Sequence, residues 1–287
     1  METISRLGVV GCGLMGSGIA EVAALGGVDV LVTESSPEAA RAGRRRVEAS
    51  LDRGLRRGRI TEAARDAARA RLTVTDDFGA MADRQFVIEA VAENRDLKTG
   101  VFAALDRVVT DPLAVLASNT SSIPIVDLAV STGRPAQVIG MHFFNPVPVQ
   151  RLVEIIPALT TSSDTVVRTR AFACEHLGKE AVEATDRSGF VVNALLVPYL
   201  LAAVRMVESG SARAEDIDRG MELGCAHPMG PLRLLDLIGL ETAQAVAESM
   251  YEEFKEPLYA PPALLRRMVA AGRLGRKSGQ GFYDYSA

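Results

Sequence analysis

The sequence predicts an α/β protein: an N-terminal doubly wound parallel sheet over residues 1–186, followed by an all-helical domain over 187–287. Three observations support this. Apolar, β-branched runs alternate with helical patterns along the first part of the chain. A glycine-rich turn joins the first of these runs to the first helix. Beyond Asp186 the patterns are helical and no β-rich run occurs.

Short apolar runs mark eight strands in the N-terminal domain. They are Leu7–Val10, Val28–Thr33, Leu72–Thr75, Phe86–Val91, Ala114–Ala117, Val138–Phe143, Leu152–Ile156 and Ala181–Ala184. Helical patterns lie between most of them, including Leu14–Leu25 and a long stretch that begins at Pro37, where proline suits the first turn of a helix. Near-continuous apolar strands joined by helices are typical of a mostly parallel sheet with both faces covered.

The C-terminal domain is predicted to contain four helices. They span Phe190–Glu208, Ala214–Leu223, Pro231–Phe254 and Pro262–Ala271. The first helix carries a broad apolar stripe, which is either a core face or a subunit interface.

Composition excludes several classes of protein. The 287 residues are 48% hydrophobic and 24% charged, which is the balance of a globular protein rather than a disordered one. The net charge of −4 argues against nucleic-acid binding. Three cysteines without a C-x-x-C pair argue against a disulfide framework or a common zinc site, so no metal is expected. We find no apolar stretch long enough to span a membrane and no export leader, and therefore expect a cytoplasmic protein.

The first predicted strand runs directly into a G-x-G-x-x-G loop that opens a helix. The loop consists of Gly11, Cys12, Gly13, Leu14, Met15 and Gly16. This context predicts a Rossmann-type dinucleotide site, with the phosphates at the start of the helix. Glu34 ends the second strand 18 residues beyond Gly16, where a carboxylate binds the adenosine ribose and repels a 2′-phosphate. NAD is therefore favoured over NADP, while FAD, which uses the same fingerprint, stays open.

His142 ends an apolar strand at the edge of the sheet where ligands bind in open α/β folds. Imidazole suits proton transfer near neutral pH. Glu154 lies within the otherwise apolar strand Leu152–Ile156, and a carboxylate there needs a partner. If the two strands are adjacent, Glu154 can fix the tautomer of His142. From the residue types alone, a purely structural histidine is an equal alternative.

Two further polar features have open interpretations. The run Ser118-Asn119-Thr120-Ser121-Ser122 follows a strand and either caps the next helix or holds a substrate oxygen. Between Arg41 and Arg59 there are eight arginines and two acidic residues. This segment is either a solvated helix face or a landing site for a phosphate-bearing ligand.

Several motifs, in order along the chain, resemble those of the L-3-hydroxyacyl-CoA dehydrogenase family, specifically its short, single-function 3-hydroxybutyryl-CoA type. They are Gly11–Ala20 (GCGLMGSGIA), Ile88–Glu93 (IEAVAE), Ser118–Ser122 (SNTSS), His142–Val149 (HFFNPVPV), Leu152–Ile155 (LVEI), Gly189–Asn193 (GFVVN), Pro228–Pro231 (PMGP) and Gly275–Tyr283 (GRKSGQGFY). The most specific are HFFNPVPV and GRKSGQGFY, and the resemblance covers nearly the whole chain.

The resemblance implies reversible, NAD-dependent oxidation of an L-3-hydroxyacyl-CoA by a homodimer that pairs through its helical domain. The catalytic residues that it implies are His142 as general base, Glu154, Ser121 and Asn193. The implied cofactor residues are Gly11–Gly16, Glu34, Glu93, Lys98, Ser121, Asn145 and Lys277. Ser50 and Arg57 correspond to positions that contact coenzyme A, which gives the basic segment a phosphate-bearing ligand.

The chain departs from the family pattern at a few positions. Glu34 stands where the family usually has Asp, Arg57 replaces a Lys, and Ala194 replaces an Arg after the GFVVN motif. These changes leave two alternatives open. One is a related dehydrogenase that acts on a 3-hydroxyacyl group carried by an acyl-carrier protein. The other is a non-enzymatic relative, which the complete set of catalytic residues argues against.

Overall fold

The computed structural model describes residues 3–286 and confirms the predicted fold class. Eight strands in this part of the chain form one sheet, in the order β3-β2-β1-β4-β5-β6-β7-β8. They are β1 (Arg6–Val10), β2 (Asp29–Thr33), β3 (Leu72–Thr75), β4 (Phe86–Glu89), β5 (Val115–Ser118), β6 (Val138–Phe143), β7 (Leu152–Pro157) and β8 (Glu180–Glu183). All neighbours pair in parallel except β6 and β7, which are antiparallel. Each strand lies within two residues of its prediction.

Of the six α-helices described between the strands, four begin at a residue whose side chain caps the helix. The six helices are α1 (Leu14–Leu25), α2 (Pro37–Arg56), α3 (Glu62–Ala70), α4 (Arg95–Val108), α5 (Ile125–Ala129) and α6 (Ser163–Glu175). Ser36 caps α2 by accepting a hydrogen bond from the Ala39 amide, and Asn94 caps α4 through the Leu97 amide. Asp186 accepts from the amides of Ile125 and Val126 and thereby satisfies the start of the short helix α5.

The core of this part follows from the strand sequences. The inner strands β1, β4, β5 and β6 are buried along almost their whole length. The aromatic rings of Phe86 and Phe172 stack 4.7 Å apart between β4 and α6. Apolar side chains cover both faces of the sheet and exclude water from them. Polar groups that bind ligands therefore lie at the ends of the strands.

The chain separates into two compact units between Asp186 and Arg187. The helices of the second unit are α7 (Val192–Glu208), α8 (Ala214–Cys225), α9 (Pro231–Ile238), α10 (Leu240–Phe254) and α11 (Ala263–Ala270). The prediction of one helix over Pro231–Phe254 was wrong, because Gly239 has a φ of +103° and breaks it into α9 and α10. A residue with a side chain would be strained in that conformation.

Two buried carboxylates organise the second unit. Asp218 accepts from the amides of Leu232 and Arg233 and so caps the start of α9. Asp236 accepts from the amides of Phe282 and Tyr283 and fixes the C-terminal segment. Both carboxylates serve backbone groups that would otherwise be unsatisfied in the interior.

Among the described residues, no helix combines the length and the apolar character needed to cross a membrane.

Candidate functional site

The glycine-rich loop joins β1 to α1 and packs against the end of β4. Gly11 has a φ of +89°, and a Cβ there would meet the Ala90 carbonyl oxygen at 2.9 Å. A Cβ on Gly16 would overlap the carbonyl oxygen of Gly11. At Gly13, by contrast, no atom of the described chain lies within 4 Å of a Cβ position. The loop is thus tight on its inner side and open on its outer side, as a pyrophosphate cradle at a helix start requires.

Glu34 lies beside this loop, at the end of β2. Its Oε1 accepts a hydrogen bond from the Cys12 amide at 2.6 Å, and its Oε2 accepts from the Ser35 amide at 3.3 Å. The side chain of Cys12 is buried, and burial together with the charge of Glu34 raises the pKa of its thiol to about 12, against the opposing charge of Arg46. Cys12 is therefore a packing residue, and Glu34 is half-buried at the position where a ribose carboxylate belongs.

His142 and Glu154 face each other directly in the antiparallel pair of β6 and β7. His142 Nδ1 lies 2.7 Å from Glu154 Oε2, and Glu154 is fully buried. An ionised carboxylate only accepts, so Nδ1 carries the proton and Nε2 presents its lone pair. Ser121 Oγ lies 3.1 Å from Nε2. The strand register therefore produces a Ser–His–Glu chain from three separate segments.

Glu93 organises the loop that carries Ser121. Its Oε1 accepts from Thr120 Oγ1 at 2.6 Å and from the Ser121 and Ser122 amides at 3.0 and 3.1 Å. Burial alone would raise the pKa of Glu93, but the Lys98 ammonium and these donors outweigh burial and hold the pKa below its usual range. Glu93 thus fixes the backbone of Ser121, whose hydroxyl contacts His142.

Lys98 connects Glu93 to Glu89, a carboxylate that is fully buried. Lys98 Nζ lies 2.7 Å from Glu89 Oε1 and 3.4 Å from Glu93 Oε2. Glu89 also accepts from the Ser118 hydroxyl at 2.6 Å and from the Val91 amide at 2.7 Å. Glu89 was missed in the sequence prediction, although a carboxylate in the apolar strand β4 carries the same signal as Glu154 in β7.

The loop after β6 exposes Asn145, and a buried lysine holds the backbone of this loop in place. The Asn145–Pro146 peptide bond is cis. Lys179 is buried and donates to the carbonyl oxygens of Val147 and Gln150 at 2.5 and 2.7 Å. Burial lowers the pKa of Lys179. This lysine, also absent from the prediction, fixes the backbone that follows His142.

The basic helix α2 carries the two residues predicted to contact coenzyme A. Ser50 is half-buried beside Glu21 on α1; burial raises the pKa of Glu21, and the Ser50 hydroxyl opposes that rise. Arg57 ends the helix and is exposed. Ser50 therefore has a structural partner within the protein, whereas Arg57 presents its charge to solvent.

Two predicted site residues belong to the second unit. Asn193 lies in the first turn of α7 and is half-buried. Lys277 is exposed, and its ammonium pairs with Glu241 at the start of α10. In this unit they occupy a helix start and a surface turn, respectively.

Comparisons with known proteins agree with this geometry. A family model described as the NAD binding domain of 3-hydroxyacyl-CoA dehydrogenase matches residues 6–187, and the model of its C-terminal domain matches 189–285. The chain is 57% identical to a 3-hydroxybutyryl-CoA dehydrogenase of Mycobacterium tuberculosis over 99% of both chains.

Two solved structures show the same fold. The crystal structure of FadB2 of M. tuberculosis matches with a TM-score of 0.98 and 57% identity, over 99% of this chain and 100% of that one. The (S)-3-hydroxybutyryl-CoA dehydrogenase PaaH1 of Ralstonia eutropha matches with a TM-score of 0.94 and 44% identity, over 99% and 100% of the two chains.

Proposed function

This chain belongs to the 3-hydroxyacyl-CoA dehydrogenase family, and from that premise we propose that it interconverts L-3-hydroxybutyryl-CoA and acetoacetyl-CoA, with His142 as general base. The family makes it an NAD-dependent oxidoreductase. The four-carbon substrate is supported by the names of its full-length relatives. The observation that carries the role of His142 is the Ser121–His142–Glu154 chain, with its two contacts of 3.1 and 2.7 Å.

The open side of the glycine-rich loop fits NAD. We propose that the amides following Gly13 bind the pyrophosphate and that Glu34 binds the adenosine ribose. Glu93, Lys98 and Asn145 are proposed for the nicotinamide half, and the family resemblance supports Lys277 as a further cofactor residue. When bound, NAD supplies the acceptor for the hydride released from the alcohol carbon.

The protein's own residues manage the proton. His142 Nε2 takes the proton of the 3-hydroxyl as the carbonyl forms, and returns it in the reverse direction. Glu154 accepts the Nδ1 hydrogen bond throughout and stabilises the positive imidazolium that results. Ser121 Oγ, close to Nε2, is proposed to hold the substrate oxygen in line, and the family resemblance supports Asn193 as a further residue that positions the substrate. The thioester bond stays intact, so no nucleophile is needed.

The exposed arginines of α2 support coenzyme A as the carrier. A coenzyme A brings a pyrophosphate and a 3′-phosphate, which guanidinium groups bind well. The same charge would suit an acidic acyl-carrier protein, which remains the second candidate. Free coenzyme A distinguishes them: competitive inhibition supports the thioester, and its absence together with a requirement for the carrier supports the alternative.

We propose that two copies pair through their helical units. Leu195 on α7 is 75% exposed and Leu223 on α8 is 73% exposed, so each offers apolar surface that pairing of two copies would bury. Covering such residues is what a two-fold interface does. Light scattering of the purified protein tests this, since a monomer at micromolar concentration would contradict it. A cytoplasmic location also stays a proposal.

The decisive experiment follows NADH oxidation at 340 nm with acetoacetyl-CoA, in wild type and in His142→Ala. Loss of a positioned general acid–base group costs about 10²–10⁴-fold in kcat. The dissociation constant of NADH, measured separately, should stay unchanged. His176→Ala, at the end of α6, is the matched control and should retain full activity. Near-normal turnover by His142→Ala would end the assignment of the base.

A further inference from the structure

Glu34 is not the only charged group at Cys12. The Glu34 carboxylate accepts from the Cys12 amide, while the guanidinium of Arg46 donates to the Cys12 carbonyl oxygen. Helix α2, which carries Arg46, packs tightly against the loop: a Cβ on Gly43 would meet the Cβ of Cys12 at 2.6 Å. A carboxylate and a guanidinium therefore flank the backbone of one residue in the nucleotide loop.

The rest of the Arg46 side chain is available. The side chain is exposed, and a guanidinium has five N–H donors in a planar fork. Within residues 3–286, Arg46 forms no salt bridge with a carboxylate, unlike Arg41 and Arg44 on the same helix, which pair with Glu38 and Glu48. The exposed Ser35 adds a hydroxyl next to Glu34.

These groups have opposite preferences for the adenosine ribose. A carboxylate accepts from the 2′-hydroxyl and repels a 2′-phosphate, whereas a nearby arginine binds that phosphate through a charge-assisted, forked contact. Nucleotide-binding loops of this type commonly use one or the other. This chain has both, on either side of Cys12.

We propose that Arg46 forms a latent recognition site for the 2′-phosphate of NADP, which the carboxylate of Glu34 keeps inactive. The protein then discriminates against NADP only through the negative charge of the Glu34 carboxylate. The inference rests on the proposed placement of the ribose at Glu34.

The test measures the dissociation constants of NADH and NADPH by fluorescence titration of the full-length protein without substrate. Glu34→Gln is expected to weaken NADH and to tighten NADPH by about 10- to 100-fold, the range set by one hydrogen bond to a charged group. The double variant Glu34→Gln/Arg46→Ala should lose this gain. Glu34→Gln/Arg45→Ala, which removes an equally exposed neighbouring charge, is the matched control and should keep it.

The results separate the two levels of the proposal. A Glu34→Gln protein that binds NADH more weakly but gains no affinity for NADPH overturns the role of Arg46. The same holds if the Arg46 double variant keeps the whole gain. If Glu34→Gln changes neither nucleotide, the ribose does not lie at Glu34, and that part of the proposed function fails as well. The activity of each variant with acetoacetyl-CoA and saturating NADH is measured separately and tests whether the reaction itself is intact.

Discussion

Replacing Glu154 by Gln removes one charge from the proposed dyad while keeping its shape. Glu154 is fully buried in β7, directly opposite His142, and its Oε2 accepts from Nδ1 at 2.7 Å. The amide oxygen of glutamine can accept the same hydrogen bond. We therefore expect the tautomer of His142 and the fold to survive, and the stabilisation of the imidazolium to be lost.

The size of the effect follows from the contact. A hydrogen bond to a charged group contributes about 1.5–3 kcal/mol. The imidazolium exists only after proton transfer, so this free energy is lost from the transition state and not from the ground state. At about 1.36 kcal/mol per factor of ten, kcat should fall by about 10- to 200-fold with KM little changed.

The assay is steady-state oxidation of L-3-hydroxybutyryl-CoA by NAD, the direction in which the imidazolium forms, repeated with substrate deuterated at C3, the carbon that releases the hydride. A larger isotope effect in Glu154→Gln would show that the chemical step has become slow. Glu183→Gln, which removes an exposed carboxylate from the adjacent strand β8, is the matched control. A folded Glu154→Gln protein with kcat within threefold of wild type would refute the argument.

Two other predictions concern the loop and the Glu93 network. Gly13→Ala should fold normally, since its Cβ meets no atom of the described chain, yet bind NADH at least about tenfold more weakly because the methyl group fills the cradle. Gly16→Ala should instead lose about 1–3 kcal/mol of stability in a urea titration, and the opposite ranking would contradict the geometry. The pKa of Glu93 is held below its ordinary value of 4.5, so its ionised form stabilises the fold fully above about pH 4.5, and this contribution is lost as the pH falls through the lowered pKa. The melting temperature of wild type should therefore exceed that of Glu93→Gln at pH 7 and approach it in acid, and a gap independent of pH would disprove the charge effect.

The strands were predictable because the physics behind them is local. Near-continuous apolar runs such as Val138–Phe143 can only be buried between two layers, and the structure places β6 over those residues. The break in the predicted helix Pro231–Phe254 was not visible, since Gly239 interrupts an otherwise helical period without any proline. The strand predicted over Phe86–Val91 ends at Glu89 in the structure. There the Glu89 carboxylate accepts a hydrogen bond from the Val91 amide, and the chain turns.

The site was predictable to the extent that chemistry shows in the residue type. A lone carboxylate in an apolar strand indicated Glu154. Its contact with His142 required the two strands to be adjacent, which the sequence does not show and the register of β6 and β7 does. Lys179 and Arg46 gave no such signal. Their roles depend on contacts with backbone carbonyl groups 32 and 34 residues away, which no pattern in the sequence specifies.

The electrostatics of the sheet edge support the proposed role of His142 as the group that takes up a proton. Glu93 binds the amide of Ser121 and Glu154 contacts His142, while the ammonium of Lys98 pairs with Glu93 and Glu89. A positive charge that forms on the imidazole meets the fully buried carboxylate of Glu154 at 2.7 Å, and burial strengthens such an interaction. Proton transfer from a hydroxyl to His142 moves charge toward that carboxylate, and the same field would oppose a negative group at this position.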